Sequence, residues 1–249
     1  MKCDYYPTMY WNKQGVIHRA FYEYEEYAEN PRDWDYPLST IVNASKYALC
    51  GSSDEEVKDI EDWLIAETGI NEDWYKNNYK RYGGINGLLN KFIKEKCIAF
   101  EYLSVYDHSG ITVSCGKSYG WDYSNIGFVY VAKDNPEVIA YRKTHSKKET
   151  EEWALGILHS EIKLLDDWCT GSVYCLIEEI FNTETEEWEF NDSIGSMYLN
   201  KYEDAISEIK SYFSIGYQLL NEKEFNKLFT NKVLDTLNGQ KLFEFMEIA

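Results

Sequence analysis

The sequence is short of several features that mark particular classes of protein. It has only four prolines and no stretch rich in glycine and serine, so no flexible linker is predicted. It has no run of 18 apolar residues and no apolar segment near its start, so neither a transmembrane helix nor a secretory signal is expected. Its six cysteines include no C-x-x-C pair and no zinc-ligand spacing with histidine. We therefore expect a cytoplasmic protein with reduced thiols and no cofactor.

Basic residues are also scarce. Lys and Arg total 25 against 43 Asp and Glu, which gives a formal net charge of -18. Such a surface repels nucleic acid and anionic membranes, so direct binding to either is not expected. It attracts basic proteins, although a surface that only maintains solubility is an equal alternative. Since 44% of the residues are hydrophobic and 16% aromatic, the acidity belongs to a folded protein with a sizeable core.

Three segments with strand composition lie close together in the middle of the chain. Ile98–Tyr106 and Ile111–Cys115 flank the turn sequence Asp107–Gly110, and Ile126–Ala132 follows a second glycine-containing loop. These segments predict an antiparallel sheet at the centre of the molecule. Other strand patterns predict hairpins over residues 9–22 and 172–190 and a single strand over residues 38–42.

Helices are predicted from capping residues and from apolar residues at helical spacing. They cover residues 53–69, 71–83, 85–96, 147–169, 200–213 and 222–237. Ser53 and Glu56 match a capping box for the first helix, and Ser146 and Glu149 match one for the helix over residues 147–169. That helix has the clearest apolar stripe and is expected to lie across the sheet.

The predicted fold class is α+β, with a central antiparallel sheet packed by a long helix, a helical insertion and a helical C-terminus. Residues 1–200 are assigned to a core domain with the insertion near residues 53–96. Residues 201–249 are assigned to a C-terminal helical extension.

The turn after the first central strand carries residue types used in catalysis. Asp107, His108 and Ser109 have the chemistry of a hydrolase triad, but neighbours in a turn point in divergent directions, and a structural turn is the alternative interpretation. Asp107, His108 and Asp122 are also donors that a divalent metal accepts. A metal-dependent hydrolase acting on a nucleotide or nucleic acid is therefore the alternative function. No catalytic residue is assigned.

Two groups of carboxylates are candidates for partner binding. Three of them recur at three- and four-residue spacing on the predicted helix over residues 53–69, which places them in a row on one face. Three more lie at the predicted hairpin tip near residue 185. Such rows approach the spacing of successive phosphates and fit the basic groove of a nuclease or repressor, while a solvated face is the simpler interpretation. The candidate residues are Glu55, Asp59, Asp62, Glu184, Glu186 and Glu187.

Four segments together resemble a family of uncharacterised accessory proteins of phages and conjugative elements of low-GC Gram-positive bacteria. The segments are Asn30–Asp35, Tyr106–Thr112, Trp121–Val131 and Ser160–Tyr174, and the heptapeptide Tyr-Asp-His-Ser-Gly-Ile-Thr in the second is the most specific. The chain departs from the family pattern over residues 38–43, and its N-terminal hairpin and C-terminal helices look like additions. The resemblance implies a genetic context but no reaction.

This context favours a role in counter-defence. Small acidic proteins of mobile elements are often inhibitors of host defence, and the 22 tyrosines and eight tryptophans are residue types that anchor interfaces. The expected function is to bind and inhibit a host defence protein with a basic surface, such as a nuclease, restriction enzyme or CRISPR effector, in the host cytoplasm. Nucleic-acid mimicry is one way to do so. An accessory protein without inhibitory activity is a further alternative.

Overall fold

A computed structural model of the chain describes residues 6–34, 37–199, 202–213 and 219–227. The fold class is α+β, as predicted. The contacts divide the chain into two compact units, which we call the terminal unit (Met1–Ala28 with Gly171–Ala249) and the central unit (Glu29–Thr170). This division differs from the predicted boundary at residue 200, because the N-terminal hairpin pairs with a strand that follows Gly171.

The strands in chain order are β1 (Met9–Lys13), β2 (Val16–Tyr24), β3 (Ser39–Asn43), β4 (Glu55–Glu56), β5 (Cys97–Asp107), β6 (Ile111–Cys115), β7 (Tyr123–Ala132), β8 (Tyr174–Asn182), β9 (Glu187–Met197) and β10 (Leu220–Asn221). The helices are α1 (Ile60–Thr68), α2 (Glu72–Asn77), α3 (Tyr79–Tyr82), α4 (Gly84–Lys96), α5 (Pro136–Tyr141), α6 (Lys147–Cys169) and α7 (Tyr202–Tyr212). Residues 222–227 are helical, and the rest of the predicted helix over 222–237 lies outside the described residues.

The central unit is built on a five-stranded sheet in the order β4-β3-β7-β5-β6. Strands β5, β6 and β7 are the predicted antiparallel strands, and β3 joins them by pairing antiparallel with β7. Gly127 allows the approach of β7 to β3, since a Cβ at this position would lie 1.9 Å from the carbonyl oxygen of Val42. The sheet therefore has the predicted centre and a fourth antiparallel strand, β3, whose pairing with β7 local patterns did not specify.

Helices cover both faces of this sheet. Helix α6 begins with the predicted capping box, in which Ser146 and Glu149 bond each other's backbone N–H, and it packs on one face. The core on that face includes Leu103, Val105, Val129, Val131, Leu158, Ile162 and Leu165. Helices α1 and α4 pack on the other face, where the core includes Val42, Leu64, Leu88, Phe92 and Phe128. The predicted helical insertion therefore forms one of three layers.

The first helix of the insertion does not begin where its sequence suggested. The predicted capping box at Ser53 and Glu56 is wrong, because β4 pairs parallel with the end of β3 and the helix starts seven residues later, at Ile60. Asp54 does not lie in the first turn of a helix, because its carboxylate accepts hydrogen bonds from Arg32 and from the backbone N–H of Ile41. Asp59 caps α1 instead.

The terminal unit contains the second sheet, in the order β10-β1-β2-β8-β9 with every pairing antiparallel. One face packs against α7 through Trp11, Ala20, Tyr22, Leu176, Ala205 and Ile209. The other face buries Tyr10, Ile17, Leu220 and Phe225. No helix among the described residues has the length and apolar character that crossing a membrane requires.

Candidate functional site

One strongly charged local feature is the hairpin of β8 and β9, which we call the acidic hairpin (residues 174–197). It carries seven carboxylates, and the chain has no Lys, Arg or His between residues 164 and 200. The side chain of Asn182 shapes the tip by accepting hydrogen bonds from the backbone N–H groups of Glu184 and Thr185. The negative charge is therefore concentrated on a defined turn and its two strands.

Two of the seven carboxylates serve the packing of the sheet. Glu178 is buried, with Oε1 2.8 Å from His18 Nδ1, and its Oε2 accepts a hydrogen bond of 2.5 Å from the amide of Asn191. Glu179 lies 2.5 Å from the guanidinium of Arg19. These two residues hold β8 between its neighbours and are not free to meet a partner.

The other five carboxylates are exposed, and they include all three predicted partner-binding residues of the hairpin. The five are Glu184, Glu186, Glu187, Glu189 and Asp192. Within the described part of the chain, the ion pairs of the hairpin are those of Glu178 and Glu179 alone. Phe190 lies between these carboxylates on β9 with 66% of its surface exposed. The hairpin thus combines unneutralised negative charge with an exposed aromatic ring.

The second predicted group of carboxylates is not a row on a helix. Glu55 lies in β4, whereas Asp62 lies in the first turn of α1. The carboxylate between them, Asp59, accepts hydrogen bonds from the N–H groups of Glu61 and Asp62, at 2.7 and 3.1 Å. All three side chains are exposed, but the helical spacing on which the row was predicted is wrong because β4 interrupts it.

A second exposed surface lies in the central unit, on the segment Gly116–Asp122 between β6 and β7, which we call the aromatic loop. Ser118 anchors it, with Oγ 3.0 Å from Ser104 Oγ, while its backbone exchanges two hydrogen bonds with the Asn125 side chain. The ammonium of Lys117 lies 3.9 Å from the centroid of the Tyr102 ring. The base of the loop is therefore held on the sheet by several contacts.

The tip of the aromatic loop projects two large rings into solvent. Trp121 is fully exposed, at 104% of its reference surface, and Tyr119 is 84% exposed. Exposed Trp and Tyr side chains on an anchored segment are typical of protein interfaces, where such residues supply much of the binding energy. Trp121 belongs to one of the four segments that carry the family resemblance, but no sequence pattern indicated its exposure, since most tryptophans pack in cores.

The predicted metal donors come only partly together. His108 Nδ1 lies 3.7 Å from Asp122 Oδ2, but the carboxylate of Asp107 accepts a hydrogen bond of 2.7 Å from the Tyr47 hydroxyl. This hydrogen bond is the main cause that raises the pKa of Tyr47. Among the described residues, no group of three or more His, Cys, Asp or Glu side chains is arranged to hold a metal ion. In this structure the Asp107 carboxylate is therefore bonded to Tyr47, in the segment that follows β3.

In comparisons with known proteins, no family model, no curated protein and no solved structure matches this chain. The resemblance to accessory proteins of mobile elements therefore stays a prediction that rests on the four segments.

Proposed function

We propose that this protein acts by binding a protein with a basic surface, and that the acidic hairpin is the main contact. One observation carries the proposal: five exposed carboxylates and the exposed ring of Phe190 lie on one hairpin whose sequence contains no Lys, Arg or His. The resemblance to accessory proteins of phages and conjugative elements supports a particular class of partner, a nucleic-acid-handling defence factor of the host. The protein would then inhibit that factor stoichiometrically in the host cytoplasm.

The geometry favours electrostatic attraction to a groove that normally holds nucleic acid. Residues on the same side of a strand are about 7 Å apart, so Glu187 and Glu189 extend the charge of the tip along β9. Opposite charge raises the association rate of two proteins, and this contribution weakens as salt screens the exposed charges. A nuclease, restriction enzyme or CRISPR effector with a basic groove has the required complementary surface.

Affinity capture with matched charge variants tests the proposal. Tagged wild-type protein is exposed to lysate of a low-GC Gram-positive host that carries such a defence system, and bound proteins are quantified by mass spectrometry. The hairpin variant is Glu184→Lys/Glu186→Lys/Glu187→Lys. The control, Glu67→Lys/Asp134→Lys/Glu152→Lys, changes the net charge equally at exposed residues of the central unit.

We expect a basic nucleic-acid-handling protein to be enriched by the wild type and the control and lost with the hairpin variant. Its capture should fall as the salt concentration rises from about 0.05 to about 0.5 M. Purified protein should also block the activity of the captured factor on its nucleic acid at a one-to-one ratio. Equal capture by the hairpin variant, or full activity of the captured factor, would contradict the proposal.

A further inference from the structure

We propose that the outer edge of β9 accepts an extended, basic segment of the partner as an additional strand of the terminal sheet. This inference rests on the proposed function and adds the mode of binding to it. The position of β9 is the first observation. It is the last strand in the order β10-β1-β2-β8-β9, and β8 is the strand that pairs with it among the described residues. Every second backbone N–H and C=O of an edge strand points away from its neighbour.

The edge lacks two of the residue types that usually prevent pairing with another chain. Proteins protect long edge strands with Lys or Pro, and β9, at 11 residues, contains neither. Its far end is occupied, because the backbone N–H of Ser196 donates a hydrogen bond of 2.5 Å to the carboxylate of Glu25. A register shift leaves Asn191 without a partner residue on β8. The most regular part of the edge is therefore Glu187–Phe190, beside the tip of the hairpin.

The side chains of this segment define the chemistry of the added strand. Glu187 and Glu189 lie on one face, while Trp188 and Phe190 lie on the other. Trp188 is half-buried against Phe181, and Phe190 is exposed. Cross-strand neighbours attract when their charges are opposite, so a segment that alternates Lys or Arg with apolar residues matches both faces. The ligand class is an extended peptide of this pattern.

A second copy of the same chain does not fit this edge. Pairing of two β9 edges would bring carboxylates next to carboxylates, and like charges on directly opposite strand residues are destabilising. The carboxylates therefore do the work that lysines do on other edge strands, which is to prevent self-association. They also leave the edge selective for a basic segment.

The test uses the full chain and synthetic ten-residue peptides in which Lys alternates with Val or Tyr. Two isomers of the peptide carry N-methyl groups at either the odd or the even positions, which removes one set of N–H donors and leaves the charge unchanged. Binding is measured by calorimetry, and hydrogen exchange of the β9 amides by mass spectrometry or NMR. We expect the parent peptide to bind and to slow exchange over residues 187–190, and one isomer to bind at least tenfold more weakly than the other.

A charge-swapped pair provides the second arm. The variant Glu187→Lys/Glu189→Lys should lose the basic peptide and bind the same peptide with Glu in place of Lys, while circular dichroism confirms its fold. Equal binding of both methylated isomers would overturn the added strand and leave the proposed attraction of basic partners standing. Absence of peptide binding, or a concentration-dependent dimer that protects β9, would also overturn the added strand. The proposed function fails only if the capture experiment fails.

Discussion

The guanidinium of Arg32 lies 2.6 Å from the carboxylate of Asp54, and both side chains are almost completely shielded from solvent. A second carboxylate, that of Glu161 on α6, lies 3.0 Å from the same guanidinium and accepts hydrogen bonds from the N–H groups of Leu38 and Ser39. Burial alone would lower the pKa of Arg32, but the hydrogen bonds and charges of Asp54 and Glu161 outweigh it and raise the pKa. Two of the four segments that carry the family resemblance therefore meet at a structural ion cluster.

Removing the cation from this cluster should be severely destabilising. Arg32→Met leaves the buried carboxylate of Asp54 and the partly buried one of Glu161 without a counter-charge, so we expect the free energy of unfolding to fall by about 3–5 kcal/mol. Arg32→Lys should restore little of the lost free energy of unfolding, because an ammonium cannot make the paired contacts of the guanidinium. Urea denaturation followed by circular dichroism measures the change, and Arg142→Met at an exposed position is the control. A loss below about 1 kcal/mol would show that the cluster contributes little.

Two glycine-to-alanine substitutions should have opposite effects on stability. At Gly127, where φ is 153°, a Cβ would overlap the carbonyl oxygen of Val42, so Gly127→Ala should cost about 2–4 kcal/mol by separating β7 from β3. At Gly156, in the middle of α6, a Cβ meets no atom within 4 Å, and alanine should add about 0.5–1 kcal/mol. Thermal unfolding of both variants checks the pair, and similar shifts of the two would contradict it.

The sequence patterns predicted local structure well and pairing partners poorly. The strands around Asp107 and the capping box of Ser146 depend on neighbouring residues, and both are confirmed. The pairing of β2 with β8 joins residues about 150 positions apart, and no local periodicity specifies which strand lies beside which. Helix α5 was not predicted, although Asn135 and Pro136 are residue types typical of a helix start.

The partner-binding prediction was limited by the same dependence on distant residues. The charges of Glu184, Glu186 and Glu187 follow from the sequence itself. Their exposure follows from their place at a hairpin tip that was also predicted. The prediction of a carboxylate row from Glu55 to Asp62 was wrong. Arg32, more than 20 residues away in sequence, binds the Asp54 carboxylate, so the helix does not begin at this point. The edge position of β9 depends on the whole sheet order and has no local signature.

Four cysteine thiols should react very slowly in the folded protein. Burial raises the pKa of Cys50, Cys97, Cys115 and Cys169 to about 12, from an ordinary value of 9.0. Because the thiolate is the reactive form, labelling with a disulfide reagent at pH 8 should be about a thousandfold slower than in the unfolded chain. The measurement uses a Cys3→Ser background, since residue 3 lies outside the described residues. Fast labelling of all five remaining thiols would contradict the prediction of slow reaction.

The carboxylate of Asp166 should give a measurable dependence of stability on pH. Burial raises its pKa above the ordinary value of 3.8, although the hydrogen bond of 2.9 Å from the backbone N–H of Val113 opposes this shift. A raised folded-state pKa in an acid means that the charged form costs stability at neutral pH, and this cost disappears as the pH falls through the folded pKa. Asp166→Asn should therefore be neutral or slightly stabilising at pH 7, and the variant should lose this part of the pH dependence.

The hydrogen bond to Val113 can be separated from the charge of Asp166 by a second substitution. Asp166→Leu leaves the N–H of Val113 without its acceptor at the edge of the central sheet, and we expect a loss of about 1–3 kcal/mol. Urea denaturation of both variants between pH 5 and pH 8 gives the comparison. If Asp166→Asn destabilised the protein at pH 7 as much as Asp166→Leu, the carboxylate charge itself would be stabilising and the assigned direction of its pKa would be wrong.

The aromatic loop should contribute to partner binding without contributing to stability. Trp121 and Tyr119 bury almost no surface in the free protein, so Tyr119→Ser/Trp121→Ser should leave the unfolding free energy unchanged within about 0.5 kcal/mol. If the partner covers the rings, the same variant should weaken binding at least tenfold, because interface aromatics often contribute 2 kcal/mol or more, roughly a thirtyfold change in affinity. Tyr27→Ser, at a residue of the terminal unit that is 92% exposed, is the matched control. Unchanged capture of the partner by the double variant would show that the acidic hairpin acts without the aromatic loop.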